Sequence, residues 1–554
     1  MEKPWFSSWP KGLSQSIQYP EISMGEVLRK SATECPDRVA IIYFGTRLTF
    51  RELDSLVDRF GEALQDLGIK KGDRVGIYLP NIPQFVIAYY GALRIGAICV
   101  ALSPIYKETE IGHILADSGA KVLVAWDALY PYVQAVKGKT ELTEVITTSV
   151  RDYLPPILRL LSPLKGVKSY ACPGAKDMKT LLAKYHGQPR PVEINPKKDI
   201  ALLQYTGGTT GIPKGAMLTH YNLVVNVVQV KEWGQLRPGE DVHLSALPFF
   251  HIFGMTTALN SPIYTKSTMI LVPDARDIPA VLKTIEKQKP TIFCGVPTLY
   301  NAIINQPDIQ KRNLRSVRLC ISGASALPVE VQKKFEALSG GRLVEGYGLT
   351  ETSPVTHCNP LDDPAKNRIG SIGIPFPDTE AKVVDMETGT RELATGEAGE
   401  LVMRGPQVMM GYWEKPDENK TALRDGWFYS GDVATMDPDG YFRIVDRKKD
   451  MIDVSGYKVW PREVEERLYE HPAVKEAAVV GTSDPRSGEA VTAFVVLKPG
   501  YEGKVRAEEI TSFCKEKMAS YKAPKFVEFK SELPKTAAGK VLRRELKEQA
   551  RTMA

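Results

Sequence analysis

Ten consecutive residues, 206–215, read TGGTTGIPKG and have the make-up of a phosphate cradle. Gly207, Gly208 and Gly211 permit positive φ and let backbone N–H groups come close to an anion. Thr206, Thr209 and Thr210 add hydroxyl donors. Lys214 adds a positive charge, and Pro213 stiffens the turn before it. Two common phosphate motifs do not fit. A GxxxxGK[ST] loop started from Gly207 or Gly208 puts Ile212 or Pro213 where its second glycine belongs. The nearest approach to GxGxxG begins Gly346-Tyr347-Gly348 and ends in Glu351. The loop therefore predicts polyphosphate binding of another kind.

Regular structure must hold such a loop. The apolar run at 202–205 feeds straight into it. Much of residues 25–330 alternates such runs with amphipathic stretches: KVLVAW at 121–126, TMILV at 268–272, TIFCGV at 291–296 and VRLCISG at 317–323, with a helical pattern at 279–287. That rhythm predicts an α/β fold, a parallel or mixed sheet covered by helices. From 371 to 444 the turn clusters DMETGT, ATGEAG and DPDG split short strands and predict a β-rich subdomain. A charged stretch, DRKKD at 446–450, follows. Helix 461–470, strands 476–481 and 490–497 and helix 507–518 then predict a small α+β domain. The boundary is placed after 446, giving domains 1–446 and 447–554.

At 554 residues the chain exceeds what one hydrophobic core usually supports. Its 43% hydrophobic and 25% charged residues are ordinary for a globular protein, and a net charge of +6 is small for this length. No basic run interleaved with aromatics stands out, so no nucleic-acid partner is expected. Seven cysteines without a CxxC pair suggest neither a zinc site nor a disulfide framework, and point to a reducing cytoplasm. The opening MEKPWFSSWPKG lacks a signal-peptide core, and no window approaches the roughly 20 apolar residues that span a bilayer. Residues 153–168, YLPPILRLLSPLKGVK, mix Leu and Ile with Arg159, Lys165 and Lys168. They read either as an excursion packed on their own domain or as a peripheral contact with an anionic membrane at the inner face. A homodimer is left open.

Extended to YTGGTTGIPKGAMLTH, the loop resembles that of the adenylate-forming superfamily of acyl-CoA synthetases, firefly-type luciferases and peptide-synthetase adenylation domains. Further motifs of that superfamily follow in order: ALPFFHIFG (246–254), SGAS (322–325), EGYGLTE (345–351), GELVMRGPQVMMGYW (399–413), GWFYSGD (426–432), DRKKDMIDVSGYKVWPREVE (446–465) and LPKTAAGK (533–540). The match spans nearly the whole chain and is most similar to the bacterial long-chain fatty acid–CoA ligases.

The resemblance implies a large N-terminal domain of two α/β subdomains plus a β-rich subdomain, and a mobile C-terminal α+β domain. It implies that ATP activates a fatty acid to acyl-AMP with release of pyrophosphate, after which coenzyme A takes the acyl group and AMP leaves. Mg2+ is the implied metal, with Glu351 and Thr206 as ligands. The nucleotide is expected against Thr206–Thr210, Gly211, Lys214, Gly323, Ala324, Glu345, Gly346, Tyr347, Gly348 and Thr350, with Tyr347 stacking on adenine and Asp432 and Arg447 at the ribose. Catalysis is expected to rest on Lys540, Lys214, His251 and Glu351. His251, Phe253 and Gly254 are expected to line the acyl pocket, Lys449 to act as hinge, and Ser455, Gly456 and Tyr457 to flank pantetheine. No covalent nucleophile is needed, because the substrate carboxylate attacks the α-phosphorus itself.

Other readings are a medium-chain or aryl acid–CoA ligase, and an acyl-AMP ligase serving a carrier protein, the latter weakened by the absence of a carrier domain before Ala554. A binding or scaffold protein on an inactive synthetase fold predicts degraded motifs, whereas Lys214, Glu351, Asp432, Arg447 and Lys540 are all present.

Overall fold

The structure is a computed structural model that describes residues 3–206, 213–536 and 541–551. The chain folds into two compact units, 1–380 with 404–428, and 381–403 with 429–554.

The first unit is α/β. Its largest sheet has eight strands, in the order Gly411–Tyr412, Lys214–Thr219, Ile200–Thr206, Ile98–Ala101, Arg74–Tyr78, Ala120–Trp126, Glu144–Thr148 and Lys176–Asp177. The five central strands from Ile200–Thr206 to Glu144–Thr148 run parallel, and Lys214–Thr219 returns antiparallel beside Ile200–Thr206. Their near-continuous apolar runs suit strands covered on both faces. Ile114, Leu123, Val133, Val145 and Leu203 form one of the cores so made.

Two four-stranded sheets complete this unit. One holds Val242–Ser245, Thr268–Leu271, Val39–Tyr43 and Thr46–Thr49; the other holds Leu319–Ser322, Arg342–Gly348, Val355–Cys358 and Ile374–Pro375. The apolar run 291–296, which reads as a strand, is not a regular one. It joins these two sheets through isolated parallel bridges, Ile292 to His243 and Leu319, and Gly295 to Ser322. Pro297 at the start of helix Pro297–Ile304 ends the run.

Helix starts are well marked. Ser23 with Glu26, Thr49 with Glu52, and Thr219 with Asn222 form reciprocal caps on helices Met24–Glu34, Phe50–Asp66 and His220–Trp233. The helix expected at 279–287 runs Ile278–Gln288.

The second unit contains residues 399–403 of strand Gly399–Arg404, residues 429–436 of strand Trp427–Met436, the strand Phe442–Arg447, and a five-stranded sheet built on the hairpin of Val474–Asp484 and Gly488–Leu497. Helices Pro461–Tyr469 and Ala507–Lys517 accompany that sheet, and Val464, Leu468, Val479, Ala493 and Ile510 share its core. The β-rich stretch is thus divided almost evenly between the two units. Gly411–Tyr412 leaves its β-rich neighbours and becomes the edge strand of the eight-stranded sheet.

Candidate active site

Two antiparallel strands flank the Thr/Gly segment in the chain. Thr206 closes strand Ile200–Thr206, Lys214 opens strand Lys214–Thr219, and the two stand directly opposite each other. Gly207, Gly208, Thr209, Thr210 and Gly211 lie outside the described residues. Both stems are held firmly. The Pro213 carbonyl lies 3.2 Å from His113 Nε2, and a Cβ on Gly215 would meet the Tyr205 ring at 3.2 Å.

A strap from the sequence motif at 399–413 runs beside the second stem. Trp413 N–H donates to the Gly215 carbonyl (2.8 Å), and Met410 N–H to that of Met217 (3.0 Å). Asn222, on the helix that follows the hairpin, donates from Nδ2 to the carbonyls of Pro406 (2.8 Å) and Val408 (3.0 Å). The cap of one helix therefore also fixes the strap.

The strap brings the first cation and the first carboxylate together. Lys214 is buried, with Nζ 3.1 Å from Glu418 Oε1 and 5.7 Å from the centre of the Tyr412 ring. The Lys214 ammonium holds the Glu418 carboxyl below the usual carboxylate range. The Tyr412 hydroxyl donates to Glu351 Oε1 at 2.6 Å. Glu351 is buried in the single turn Thr350–Thr352, and its carbonyl accepts from Met409 N–H at 2.8 Å.

The residues expected around adenine lie on two neighbouring strand ends. Ser322 ends one strand opposite Glu345 on the next, and Glu345 Oε2 accepts from Leu327 N–H at 3.2 Å. Gly346, Tyr347 and Gly348 continue that strand. A Cβ on Gly348 would lie 1.8 Å from the Pro354 carbonyl oxygen, so only glycine fits. The Tyr347 ring stands edge-on to the buried imidazole of His357, with centroids 5.9 Å apart. Ala324 takes φ +68°, a left-handed conformation that costs a residue with a Cβ.

The expected acyl residues touch this corner. A Cβ on Gly323 would meet the Phe253 ring at 3.0 Å. His251 Nδ1 accepts from Phe253 N–H at 3.2 Å, which places the ring proton of the neutral imidazole on Nε2. A Cβ on Gly254 would fall 2.2 Å from the Pro248 carbonyl oxygen. A six-residue π-helix, Met255–Asn260, follows, a geometry frequent at functional sites.

In the second unit Asp432 and Arg447 face each other across two antiparallel strands and pair at 2.6 Å. Lys449 lies exposed in the turn Lys448–Asp450. Ser455 and Gly456, at φ +54° and +85°, form the turn between strands Ile452–Val454 and Tyr457–Val459. A side chain on Gly456 would meet nothing within 4 Å. Tyr457 is exposed, its ring tilted against Tyr521. Lys540 lies outside the described residues; Lys535 and Val541 are joined by an isolated antiparallel bridge.

Three residues near these sites are given no role by the sequence, although Tyr412 lies within the motif at 399–413. Tyr412 and Glu418 reach Lys214 and Glu351 only through the pairing of the strap. Arg543 binds Glu465 at 2.8 and 2.9 Å and approaches Asp446 and Asp450, each at 3.3 Å, on either side of Lys449. Burial raises the carboxyls of Asp446 and Glu465, and Arg543 opposes that rise.

The family model "AMP-binding enzyme" matches residues 28–413, and "AMP-binding enzyme C-terminal domain" matches 463–540. The chain is 44% identical to a long-chain-fatty-acid–CoA ligase of Bacillus subtilis, over 99% of this chain and 98% of that one. It is 40% identical to a long-chain-fatty-acid–CoA ligase of Salmonella typhimurium, over 100% and 99%. Among solved structures, the anthranilate CoA ligase AuaEII in complex with anthranoyl-AMP superposes with a TM-score of 0.85 at 30% identity, covering 96% of this chain and 98% of that one.

Proposed function

We propose that this chain, which belongs to the AMP-binding enzyme family, is a long-chain fatty acid–CoA ligase. The observation that carries the reading is the Lys214–Tyr412–Glu351 corner at the stem of a Thr/Gly loop. It sets a cation for phosphate beside a carboxylate for a divalent metal.

In the first half-reaction a carboxylate oxygen of the acid attacks the α-phosphorus of ATP, forming acyl-AMP and releasing pyrophosphate. Both reactants are anions, so the site must supply positive charge and donors. Lys214 and the loop residues Thr206 to Gly211 are assigned to the β- and γ-phosphates. Tyr347 is assigned to adenine with Gly323, Ala324, Glu345, Gly346, Gly348 and Thr350 around it, and Asp432 and Arg447 to the ribose. His251 orients the acid, whose chain enters past Phe253 and Gly254.

Glu351 and Thr206 offer hard oxygen donors of the kind Mg2+ prefers, and leave most of its sphere to phosphate and water. Bound there, Mg2+ would neutralise charge on the phosphates.

In the second half-reaction the thiol of coenzyme A loses its proton, attacks the acyl carbonyl and displaces AMP. Lys540 serves the first step and Ser455, Gly456 and Tyr457 the second. One fixed arrangement cannot serve both, so Lys449 is the hinge between domains 1–446 and 447–554. Seven unpaired thiols suit a reducing cytoplasm.

The test is AMP release measured over acids of increasing chain length. Release that needs both acid and coenzyme A, and that rises with chain length, is expected. A maximum on an aromatic acid would favour the second reading, an aryl acid–CoA ligase, which the likeness to the anthranilate enzyme supports. Pyrophosphate exchange without thioester would point to a carrier-protein ligase.

A further inference from the structure

We propose that the excursion at 156–164 docks the chain on an anionic phospholipid bilayer. Helix Pro156–Leu161 runs into the turn Ser162–Lys165. Its apolar residues Ile157, Leu160, Leu161 and Leu164 fall at i, i+3, i+4 and i+7, the spacing of a face that should be buried. Here that face looks outward. Ile157 is 73% exposed, Leu160 78% and Leu164 85%, while the polar Ser162 is 4% exposed and turned inward. The pattern is that of an amphipathic helix whose apolar partner is not part of the described chain.

The base of the excursion is fixed. Arg151 donates to the Arg159 carbonyl (3.0 Å) and the Ser169 hydroxyl (3.2 Å). Asp152 Oδ2 accepts from Ser149 N–H at 2.9 Å, and Asp127 Oδ2 from Tyr170 N–H at 3.1 Å. The leucines are therefore presented by a braced element.

Charge selects the occupant. From 153 to 176 the sequence has Arg159, Lys165, Lys168 and Lys176 and no carboxylate. Arg159 and Lys168 are exposed, and Tyr170 is 52% exposed. An exposed aliphatic face on a segment that carries four cations and no carboxylate suits an anionic headgroup layer over acyl chains. A second copy suits it less. Four aliphatic side chains on so short an element fall well below the roughly 800 Å² per partner of a standard interface.

The test is co-sedimentation of the full chain with phosphatidylglycerol/phosphatidylcholine vesicles and with phosphatidylcholine alone. Binding to the anionic vesicles is expected, and the double variant Leu160→Glu, Leu164→Glu is expected to bind at least about tenfold more weakly. Arg159→Gln should weaken binding about fivefold on anionic vesicles only. All variants should keep the melting temperature of the parent and its rate with a short, soluble acid without vesicles. Absence of binding by the parent, or equal binding by the double variant, overturns the proposal. So does a dimer that the double variant splits while vesicle binding persists. Sedimentation uses no substrate, so its failure is distinct from failure of the ligase reading.

Discussion

The Tyr412 hydroxyl donates to Glu351 Oε1 at 2.6 Å while Lys214 Nζ lies 5.7 Å from the centre of the same ring. One side chain thus spaces the proposed metal carboxylate from the proposed phosphate cation. Tyr412→Phe removes the hydrogen bond and keeps the ring. A hydrogen bond to a charged group is worth about 1.5–3 kcal/mol. The variant should need about tenfold more Mg2+ for half-maximal rate, and bind Mn2+ with ATP correspondingly more weakly by electron paramagnetic resonance. The same loss should lower its melting temperature by several degrees.

Glu418 pairs with Lys214 at 3.1 Å and would compete with the phosphate that Lys214 is proposed to bind. The Glu418 side chain is 35% exposed, so the pair is worth little on its own. Glu418→Gln should lower KM for ATP by about two- to fivefold, the equivalent of an exposed ion pair. Lys214→Ala should lower kcat/KM for ATP about a hundredfold, in the range seen when a positioned donor to developing charge is lost. Steady-state kinetics with ATP varied separates the two.

Buried His357, edge-on to Tyr347, makes the fold sensitive to acid. Burial lowers its pKa from 6.5 to about 3, so the folded chain keeps the ring neutral. The unfolded chain takes up a proton below about pH 6.5. Unfolding therefore gains a proton, and stability falls as pH drops from 6.5 towards 3. Above that window His357 contributes no pH dependence. His357→Gln should make the decline shallower by about one proton, roughly 1.4 kcal/mol per pH unit. Denaturant unfolding between pH 7 and 5 measures the difference.

The elements that the sequence shows best are those whose signal is local. The apolar runs at 121–126 and 268–272 become strands because each buries its side chains within a parallel layer. The run at 291–296 is also apolar, yet makes only isolated bridges, at Ile292 and Gly295, before Pro297 starts the next helix. The phosphate loop is legible as composition, but its return strand and the strap are not. Tyr412 lies some two hundred residues from Lys214, and only the antiparallel pairing of Gly411–Tyr412 with Lys214–Thr219 joins them. Arg543 is equally silent. It reads as one more basic residue in a terminal helix, while its partners Asp446, Asp450 and Glu465 are set by tertiary packing.

That cluster bears on the last prediction. Lys540 is proposed to act only in adenylation, and Lys449 to absorb the backbone change between half-reactions. Lys540→Ala should cripple acyl-AMP formation, measured as pyrophosphate release, and leave thioester formation from supplied acyl-AMP near the parent rate. Lys449→Pro fixes φ near −65° and restricts Lys448 before it. It should do the reverse, sparing pyrophosphate release and slowing thioester formation. Arg543 binds carboxylates on both sides of Lys449, at Asp446 and at Asp450 and Glu465. Arg543→Lys should therefore change the ratio of the two half-reactions, since lysine cannot reproduce the bidentate contact with Glu465. Equal loss of both half-reactions in Lys540→Ala and Lys449→Pro would count against alternation at this hinge.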